Sequence, residues 1–359
     1  MLRNLGITKM NTILNKFFML AVALMMSLTT WAQDPVYSQY AEIDVMAYTL
    51  YGYTQEAEVT SPSSGQSYEM YTGAVTIPSS VTYEGVTYNV TSIGYKAFNN
   101  CWMLTSVSMP NSLKSIYAEA FAYCNLLTSI TIPDSVKNIY DEAFSYCTKL
   151  TSVTIPNSVI FMGEYVFRDC YDLSSVTFGS GLKSIMSGNF YNCNSLESIT
   201  IPSNITSIDN YAFKKCDKLK TIELPNTLEY IKEQAFYQCR SLTTLIIPNS
   251  VEEINRGAFR YCSSLSSVTN LSRTPQSIDE SVFSTYGTLH VLEGCKEVYQ
   301  NAAVWKNFNI IEDAEEILGI SDIGSDTIAA DKIFSISGKR LSTPQKGINI
   351  INGKKIVIK

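Results

Sequence analysis

Cysteine is the reactive residue type that recurs most regularly in this sequence, because eight of its nine cysteines follow one another at a constant step of 23 residues. They are Cys101, Cys124, Cys147, Cys170, Cys193, Cys216, Cys239 and Cys262. Zinc sites usually take paired ligands at close spacing, and this sequence has no Cys-x-x-Cys pair. Equivalent positions on adjacent coils would lie about 5 Å apart, within disulfide range, but parallel side chains do not converge. We therefore expect the repeated cysteines to be buried thiols that pack as small apolar residues, and we expect no metal site. Cys295 lies outside the 23-residue register, and no role is assigned to it.

The only histidine, His290, is the residue that a Ser-His or Cys-His nucleophile would require. It stands in a strand-like segment, and no Gly-x-Ser-x-Gly elbow accompanies it. The glycine-containing stretch 179–184 lacks the spacing of a phosphate-binding loop and is interpreted as a turn. A glycosidase needs two facing carboxylates, whereas the acidic residues here are scattered. We therefore expect no catalytic residues, no cofactor and no enzyme activity, with His290 structural or facing solvent.

The 23-residue step organises most of the chain, because each repeated cysteine has a phenylalanine three residues before it and a leucine three residues after it. The phenylalanines are Phe98, Phe121, Phe144, Phe167, Phe190, Phe213, Phe236 and Phe259. The leucines are Leu104, Leu127, Leu150, Leu173, Leu196, Leu219, Leu242 and Leu265. A strict period in this range predicts a solenoid, in which each unit buries its apolar side against its neighbours.

The segment that follows each cysteine alternates like a β-strand. In one unit Val153 and Ile155 would face the core while Ser152 and Thr154 face outward. A proline closes most of these strands, because it has no backbone donor. A second apolar pair then predicts a short extended run, and an Ala-Phe half-turn completes the unit.

The unit Ile-Pro-x-Ser-Val-x-x-Ile-x-x-x-Ala-Phe-x-x-Cys-x-x-Leu-x-x-Ile resembles the BspA-like class of bacterial leucine-rich repeats. The resemblance covers about eight copies within residues 75–270. It implies a leucine-rich repeat solenoid that is horseshoe-like and mostly β, with a parallel β-sheet on the concave side. Short turns or half-helices would form the convex side. The resemblance also implies a surface protein with a role in adhesion.

The segments outside the repeats predict export and two end caps. We expect a signal peptide at 1–32, an N-terminal β cap at 33–74, 23-residue repeats at 75–270, a C-terminal cap at 271–316, a linker at 317–332 and a small β tail at 333–359. Residues 298–308 are expected to form a capping helix, and the tail to contain three strands. The tail resembles the C-terminal sorting domains of Bacteroidetes type IX secretion, which implies the secretion machinery as a partner.

Charge limits the partner classes. The formal net charge is −6 at pH 7, which argues against nucleic acid or an anionic membrane surface. No segment after the expected signal peptide is long and apolar enough to span a bilayer, so we expect a secreted or cell-surface protein without a transmembrane segment in its mature chain.

Outward strand positions form two polar columns that could bind a ligand. The candidate contacts are Ser129, Thr131, Ser152, Thr154, Ser175, Thr177, Ser198, Thr200, Thr221, Glu223, Thr244 and Ile246. One hypothesis is adhesion to a host or bacterial surface protein, or to a glycan, because repeat proteins commonly bind on the concave face. The alternative is that serine and threonine merely suit exposed strands, and that the chain is a structural scaffold of the cell envelope without a dedicated ligand.

Tyrosines cluster near the half-turn, where two interpretations stay open. They could be rim residues that shield the core, or contact area for a partner. They are Tyr117, Tyr123, Tyr140, Tyr146, Tyr191, Tyr237 and Tyr261.

Overall fold

The computed structural model describes residues 38–62 and 71–314, together with four short strands in the C-terminal tail. The expected signal peptide and the expected linker at 317–332 lie outside the described residues. Within the described part, the chain is a mostly β, parallel-stranded solenoid of about ten turns with almost no helix, as the repeat predicted.

The strands are numbered in chain order. They are β1 (Ser38–Ile43), β2 (Met46–Tyr51), β3 (Glu56–Thr60), β4 (Gly73–Thr76), β5 (Ser80–Tyr83), β6 (Val86–Ile93), β7 (Leu104–Ser108), β8 (Ser115–Ile116), β9 (Asn138–Ile139), β10 (Ser152–Ile155), β11 (Phe161–Met162), β12 (Ser175–Phe178), β13 (Ser184–Ile185), β14 (Ser198–Thr200), β15 (Ser207–Ile208), β16 (Thr221–Glu223), β17 (Tyr230–Ile231), β18 (Thr244–Ile247), β19 (Glu253–Ile254), β20 (Ser267–Asn270), β21 (Thr288–Val291) and β22 (Asn309–Glu312). The tail adds β23 (Ile333–Ser335), β24 (Arg340–Leu341), β25 (Gly347–Ile351) and β26 (Lys354–Ile358).

Two strips of parallel strands run along the solenoid. The first sheet is built from the strands after each leucine, β4, β7, β10, β12, β14, β16, β18, β20, β21 and β22, in several hydrogen-bonded groups. The second sheet consists of β6 and the two-residue strands β8, β9, β11, β13, β15, β17 and β19, in two hydrogen-bonded groups. Pairing steps by one whole unit, so that Ser152 lies opposite Ser175 and Ile116 opposite Ile139. The second sheet confirms the short extended run predicted from the second apolar pair.

The N-terminal end of the solenoid is covered by β1, β2 and β3. These three strands pair in antiparallel order, and β3 then joins the second sheet by parallel pairing with β6. Strands β5 and β6 form a hairpin whose turn residues are Glu84 and Gly85, with φ angles of 49° and 81°. Two central residues with positive φ are typical of the tight turns that join antiparallel strands.

A stack of phenylalanine rings fills the centre of the coils. Neighbouring rings lie 4.9 Å apart for Phe98–Phe121 and 5.7 Å apart for Phe167–Phe190, with nearly parallel planes. The stack continues into Phe283 at 5.6 Å from Phe259. Burying one such side chain contributes about 2–3 kcal/mol, so this column supplies much of the solenoid's stability.

The repeated cysteines are free thiols buried beside this stack, as predicted. From the second coil onward, each thiol donates a hydrogen bond to the phenylalanine carbonyl of the preceding coil. Cys147 Sγ lies 3.3 Å from the carbonyl oxygen of Phe121, and Cys170 Sγ lies 3.3 Å from that of Phe144. Burial raises the pKa of Cys147 to about 12, so the thiol stays protonated at neutral pH.

Two residues in each coil adopt the left-handed conformation, one on each side of the phenylalanine. Around Phe144 they are Glu142, with φ of 54°, and Tyr146, with φ of 58°. This conformation costs a non-glycine residue about 1–2 kcal/mol. Their backbone N–H groups donate to the carbonyls of Glu164 and Arg168 in the next coil, at 2.9 and 2.8 Å, and these bonds offset that cost.

One coil interrupts both sheets. Within the described residues, β12 is not hydrogen-bonded to β14, and β11 is not hydrogen-bonded to β13. The connecting turn contains Gly179 and Gly181 where other units have longer side chains. A Cβ at Gly181 would lie 2.1 Å from the carbonyl oxygen of Val159, and one at Gly179 would lie 2.4 Å from the backbone nitrogen of Asn157. Glycine is therefore required for the close approach of these coils, which agrees with the predicted turn.

The C-terminal end of the solenoid differs from the expected single capping helix. The chain forms α1 (Lys296–Gln300), a turn, and a 3-10 helix (Trp305–Asn307), after which β22 extends the first sheet. The α-helix ends at Gln300, and Val304, whose φ is 68°, directly precedes the 3-10 helix. Trp305 is fully buried, and its indole N–H donates to the carbonyl of Gln276 at 2.8 Å. A buried indole that needs this partner explains why the helical pattern is not continued.

The C-terminal tail contains four strands where three were expected. They form one antiparallel sheet in the order β24, β23, β25, β26. The predicted first strand is split, and its two halves pair with each other through Ile333 and Leu341. Strands β25 and β26 pair in antiparallel order, with Ile351 opposite Lys354. Residues 352–353, where the sequence Asn-Gly predicts a hairpin turn, lie outside the described residues.

Candidate functional site

The side chains of all twelve candidate contact residues are exposed. Ten of them lie on the outer face of the first sheet, whereas Ser129 and Thr131 belong to a coil that has no strand of that sheet. We call this surface the hydroxyl face. Parallel pairing brings equivalent positions together, with Thr154 opposite Thr177 and Ser198 opposite Thr221. Ser129 joins Ser152 through a single bridge. The face therefore has the two predicted columns, although they belong to several hydrogen-bonded groups of strands.

The hydroxyls of this face are largely open to a ligand. Within the described part of the chain, the one hydrogen bond between two of the twelve side chains runs from Thr200 Oγ1 to Glu223 Oε2, at 3.3 Å. Flanking hydroxyls instead donate to the backbone of the preceding coil, as Thr151 Oγ1 does to the carbonyl of Thr128 at 3.2 Å. The exposed columns thus present hydroxyl groups that can donate and accept hydrogen bonds at the surface.

A groove opens on the hydroxyl face where the irregular coil separates β12 from β14. Its volume is about 380 Å³, and Ser175, Thr177, Ser198 and Thr200 line it with Phe178 and Pro202 at one end. Sequence reasoning named the four hydroxyl residues but not the groove. The signal for it was Gly179, which replaces the strand-ending proline of other units.

Exposed ion pairs join adjacent coils at the edge of this face. Lys220 Nζ lies 2.8 Å from Glu197 Oε2, and Arg240 Nη1 lies 2.8 Å from Asp217 Oδ2. Each pair joins two neighbouring units, and such surface pairs contribute about 0–1 kcal/mol. Positive and negative side chains therefore lie side by side along the edge of the hydroxyl face.

Tyrosines on the turn side of the coils are partly exposed and carry cationic groups over their rings. The guanidinium of Arg168 lies 5.5 Å from the ring centre of Tyr146 and 5.6 Å from that of Tyr191. Arg168 Nε also lies 3.0 Å from the buried carboxylate of Asp169. This pairing fits both interpretations of the tyrosines, as rim residues or as contact area for a partner. The cations were not singled out from the sequence.

His290 lies on the first sheet near its C-terminal end and is paired with a carboxylate. Its Nδ1 atom is 2.7 Å from Asp313 Oδ1 in the following coil, and both side chains are largely buried. The contact joins β21 to the residue that follows β22. Among the described residues, no group of three or more His, Cys, Asp or Glu side chains is placed to hold a metal ion.

The parallel sheets, the central phenylalanine stack and the hydroxyl face together define a leucine-rich repeat β-solenoid. A family model described as the BspA type leucine rich repeat region matches residues 78–197 and again residues 183–303, which is more than half of the chain. The chain therefore belongs to the BspA-type leucine-rich repeat family. This family and fold are typically non-catalytic.

This chain is similar to several solved leucine-rich repeat structures. A leucine-rich repeat protein of T. pallidum is 27% identical, with a TM-score of 0.50 over 57% of this chain and 91% of that chain. One from Bacteroides ovatus is 24% identical, with a TM-score of 0.48 over 76% and 81%. A leucine-rich cell surface protein of Faecalibacterium prausnitzii is 20% identical, with a TM-score of 0.35 over 77% and 95%. No curated protein matches this chain. The described helices are all too short to cross a bilayer.

Proposed function

We propose that this chain is an exported binding protein that uses the hydroxyl face to adhere to a host or bacterial surface protein, or to a glycan. The observation that carries the proposal is the groove between β12 and β14. It lies between two pairs of exposed hydroxyl side chains, Ser175 and Thr177 on one coil and Ser198 and Thr200 on the next. Repeat proteins commonly bind on such an extended sheet face.

Export and attachment are part of this proposal. The positively charged, then apolar, first 32 residues support export. The β tail at 333–359 would engage the secretion machinery.

The test uses the mature chain, residues 33–359, on an array of host matrix proteins and polysaccharides. Thr200→Tyr fills the groove with a side chain that an exposed strand accepts. Thr131→Tyr is the matched control, because Thr131 is an exposed threonine of the same outward column in an earlier coil. We expect saturable binding by the parent and the control, and a loss of about tenfold or more for Thr200→Tyr.

Equal losses in both variants would favour a ligand that follows the whole face over one held in the groove. An array on which the parent binds nothing would overturn the adhesion proposal. The alternative is a structural scaffold of the cell envelope. It would then be tested by identifying what the C-terminal tail at 333–359 attaches to.

A further inference from the structure

A second cleft lies at the N-terminal end of the solenoid, between the β2–β3 connection and the outer face of the second sheet. Its volume is about 620 Å³, which exceeds that of the groove on the hydroxyl face. Pockets that bind small molecules commonly measure about 300–1,000 Å³. The side chains that matter here are Tyr51, Tyr53, Glu56, Glu58, Lys114 and Tyr117.

The floor of this cap cleft is an outward column of polar side chains. Strand pairing sets Glu58 opposite Ser92, Ser92 opposite Ser115, and Ser115 opposite Asn138. Ser92 Oγ donates to Glu58 Oε2 at 3.2 Å, and Asn138 Nδ2 donates to Ser115 Oγ at 3.4 Å. The row therefore combines a carboxylate, hydroxyls and an amide, which together can both donate and accept hydrogen bonds.

An aromatic row runs beside this polar column. Tyr117 stacks on Tyr140 with ring centres 5.0 Å apart, and Tyr140 contacts Phe161 at 5.4 Å. Tyr117 is 37% exposed and Phe161 is 41% exposed, so these rings do not serve the core. Tyr53 stands across the cleft on the cap and is 85% exposed. Exposed rings on both sides of a polar floor are unusual for a surface that only meets water.

Charge in the cap cleft is nearly balanced. Lys114 Nζ lies 2.7 Å from Glu56 Oε1, and this ion pair leaves Glu58 as the remaining acidic group. Burial raises the pKa of Glu58, while the hydrogen bond from Ser92 lowers it. An anionic ligand would meet this carboxylate at close range, so the cleft suits a ligand without negative charge.

We propose that the cap cleft binds a neutral saccharide. A pyranose has C–H groups on its faces, which pack against the electron-rich faces of tyrosine rings. Its hydroxyls both donate and accept, and they would match Glu58, Ser92 and Lys114. A basic peptide side chain offers donors only, and the ammonium group of Lys114 already occupies Glu56. The site is separate from the hydroxyl face and does not depend on the function proposed there.

The test is calorimetric titration of residues 33–359 with a panel of neutral di- to hexasaccharides of the gluco-, manno-, galacto- and N-acetylglucosamine series. Heparin fragments and a poly-lysine peptide are included as anionic and cationic probes. The variants are Tyr117→Ala, which removes an exposed ring, and Glu58→Gln, which keeps shape and removes charge. Tyr230→Ala is the matched control, because Tyr230 lies on the second sheet far along the chain from this cleft. Circular dichroism checks that each variant is folded.

We expect at least one neutral saccharide to bind, with a loss of about tenfold or more in Tyr117→Ala and Glu58→Gln and no change in Tyr230→Ala. Absence of binding across the saccharide panel would overturn the proposal, as would binding that only the poly-lysine or heparin probe shows. Saccharide binding lost in Thr200→Tyr but kept in Tyr117→Ala would assign the sugar to the hydroxyl face instead. Failure of the hydroxyl face to bind any partner leaves the result for the cap cleft unchanged.

Discussion

The interior and the outer faces of this solenoid differ in how strictly they repeat. Inside, phenylalanine, cysteine and leucine recur in eight consecutive units, and nearly all of these side chains are fully buried. On the hydroxyl face, the outward column that contains Thr200 has a glutamate in the next coil, Glu223, and an isoleucine in the one after it, Ile246. The outward column of the second sheet likewise passes from Ser115 to Phe161 and later to Tyr230.

The difference shows where this chain can carry specificity. An interior residue touches its equivalents in the coils before and after it, so a change in one unit leaves a void or a clash against two others. An outer residue meets solvent and can vary at little cost in stability. The groove beside Thr200 and the cleft beside Tyr117 lie on these variable faces, which is why we propose ligand binding there.

Alkaline pH gives the largest expected effect, because it acts on the whole thiol column together. Burial raises the pKa of six thiols in the folded chain, whereas unfolded thiols titrate near the ordinary value of 9. As pH rises above 9, the unfolded state loses protons that the folded state keeps. The free energy of unfolding should then fall, by about 1 kcal/mol per thiol and pH unit.

Urea unfolding at intervals from pH 7 to pH 11 measures this effect. The double variant Cys147→Ala, Cys170→Ala is the control, since it should be less stable at pH 7 but show a shallower alkaline decline. A free energy of unfolding that stays constant between pH 8 and pH 11 would contradict the assigned burial of the thiols.

Removal of one ring from the stack is the next largest effect. Phe167→Ala should lower the free energy of unfolding by about 3–5 kcal/mol, because the cavity lies between two packed rings. Phe161→Ala, on the exposed outer row, should cost far less. Urea unfolding of both variants compares a ring of the interior stack with a ring of the outer row. Equal losses in the free energy of unfolding would show that the interior is no less tolerant of substitution than the outer face.

The irregular coil can be tested through its glycines. Gly181→Ala should cost about 1–3 kcal/mol, since the new methyl group meets the backbone of Val159. Gly52→Ala is the matched control, because no atom lies within 4 Å of the position its Cβ would take. Thermal unfolding should separate the two variants, and an unchanged melting temperature for Gly181→Ala would mean that the coils are not in close contact there.

The smallest effect concerns the left-handed residues. Gln238 has a φ of 63°, so Gln238→Gly should raise the free energy of unfolding by about 0.5 kcal/mol. Lys218→Gly, in the same coil at an exposed position without positive φ, should lower it by about 0.5–1 kcal/mol. A loss of stability in both variants would show that the side chain of Gln238 matters more than its backbone.

The repeat made the interior predictable, since one period places every phenylalanine, cysteine and leucine in register. The left-handed residues were not predictable, because residues such as Glu142 and Tyr146 have no local preference for that conformation and adopt it through bonds to the next coil. The cap cleft also escaped sequence reasoning. Tyr53 and Tyr117 are far apart in the chain and belong to no common period, so only the pairing of β3 with β6 brings them together.

The constant step of the backbone bonds has a genetic consequence. Each coil interacts with the one before it and the one after it, and all regular coils present the same two surfaces to each other. Unequal recombination between neighbouring repeats of the gene would insert or remove one complete coil. The N-terminal and C-terminal caps would each still pack against a regular coil. The length of the solenoid along its axis could thus change in increments of about 4.8 Å while the fold stays the same.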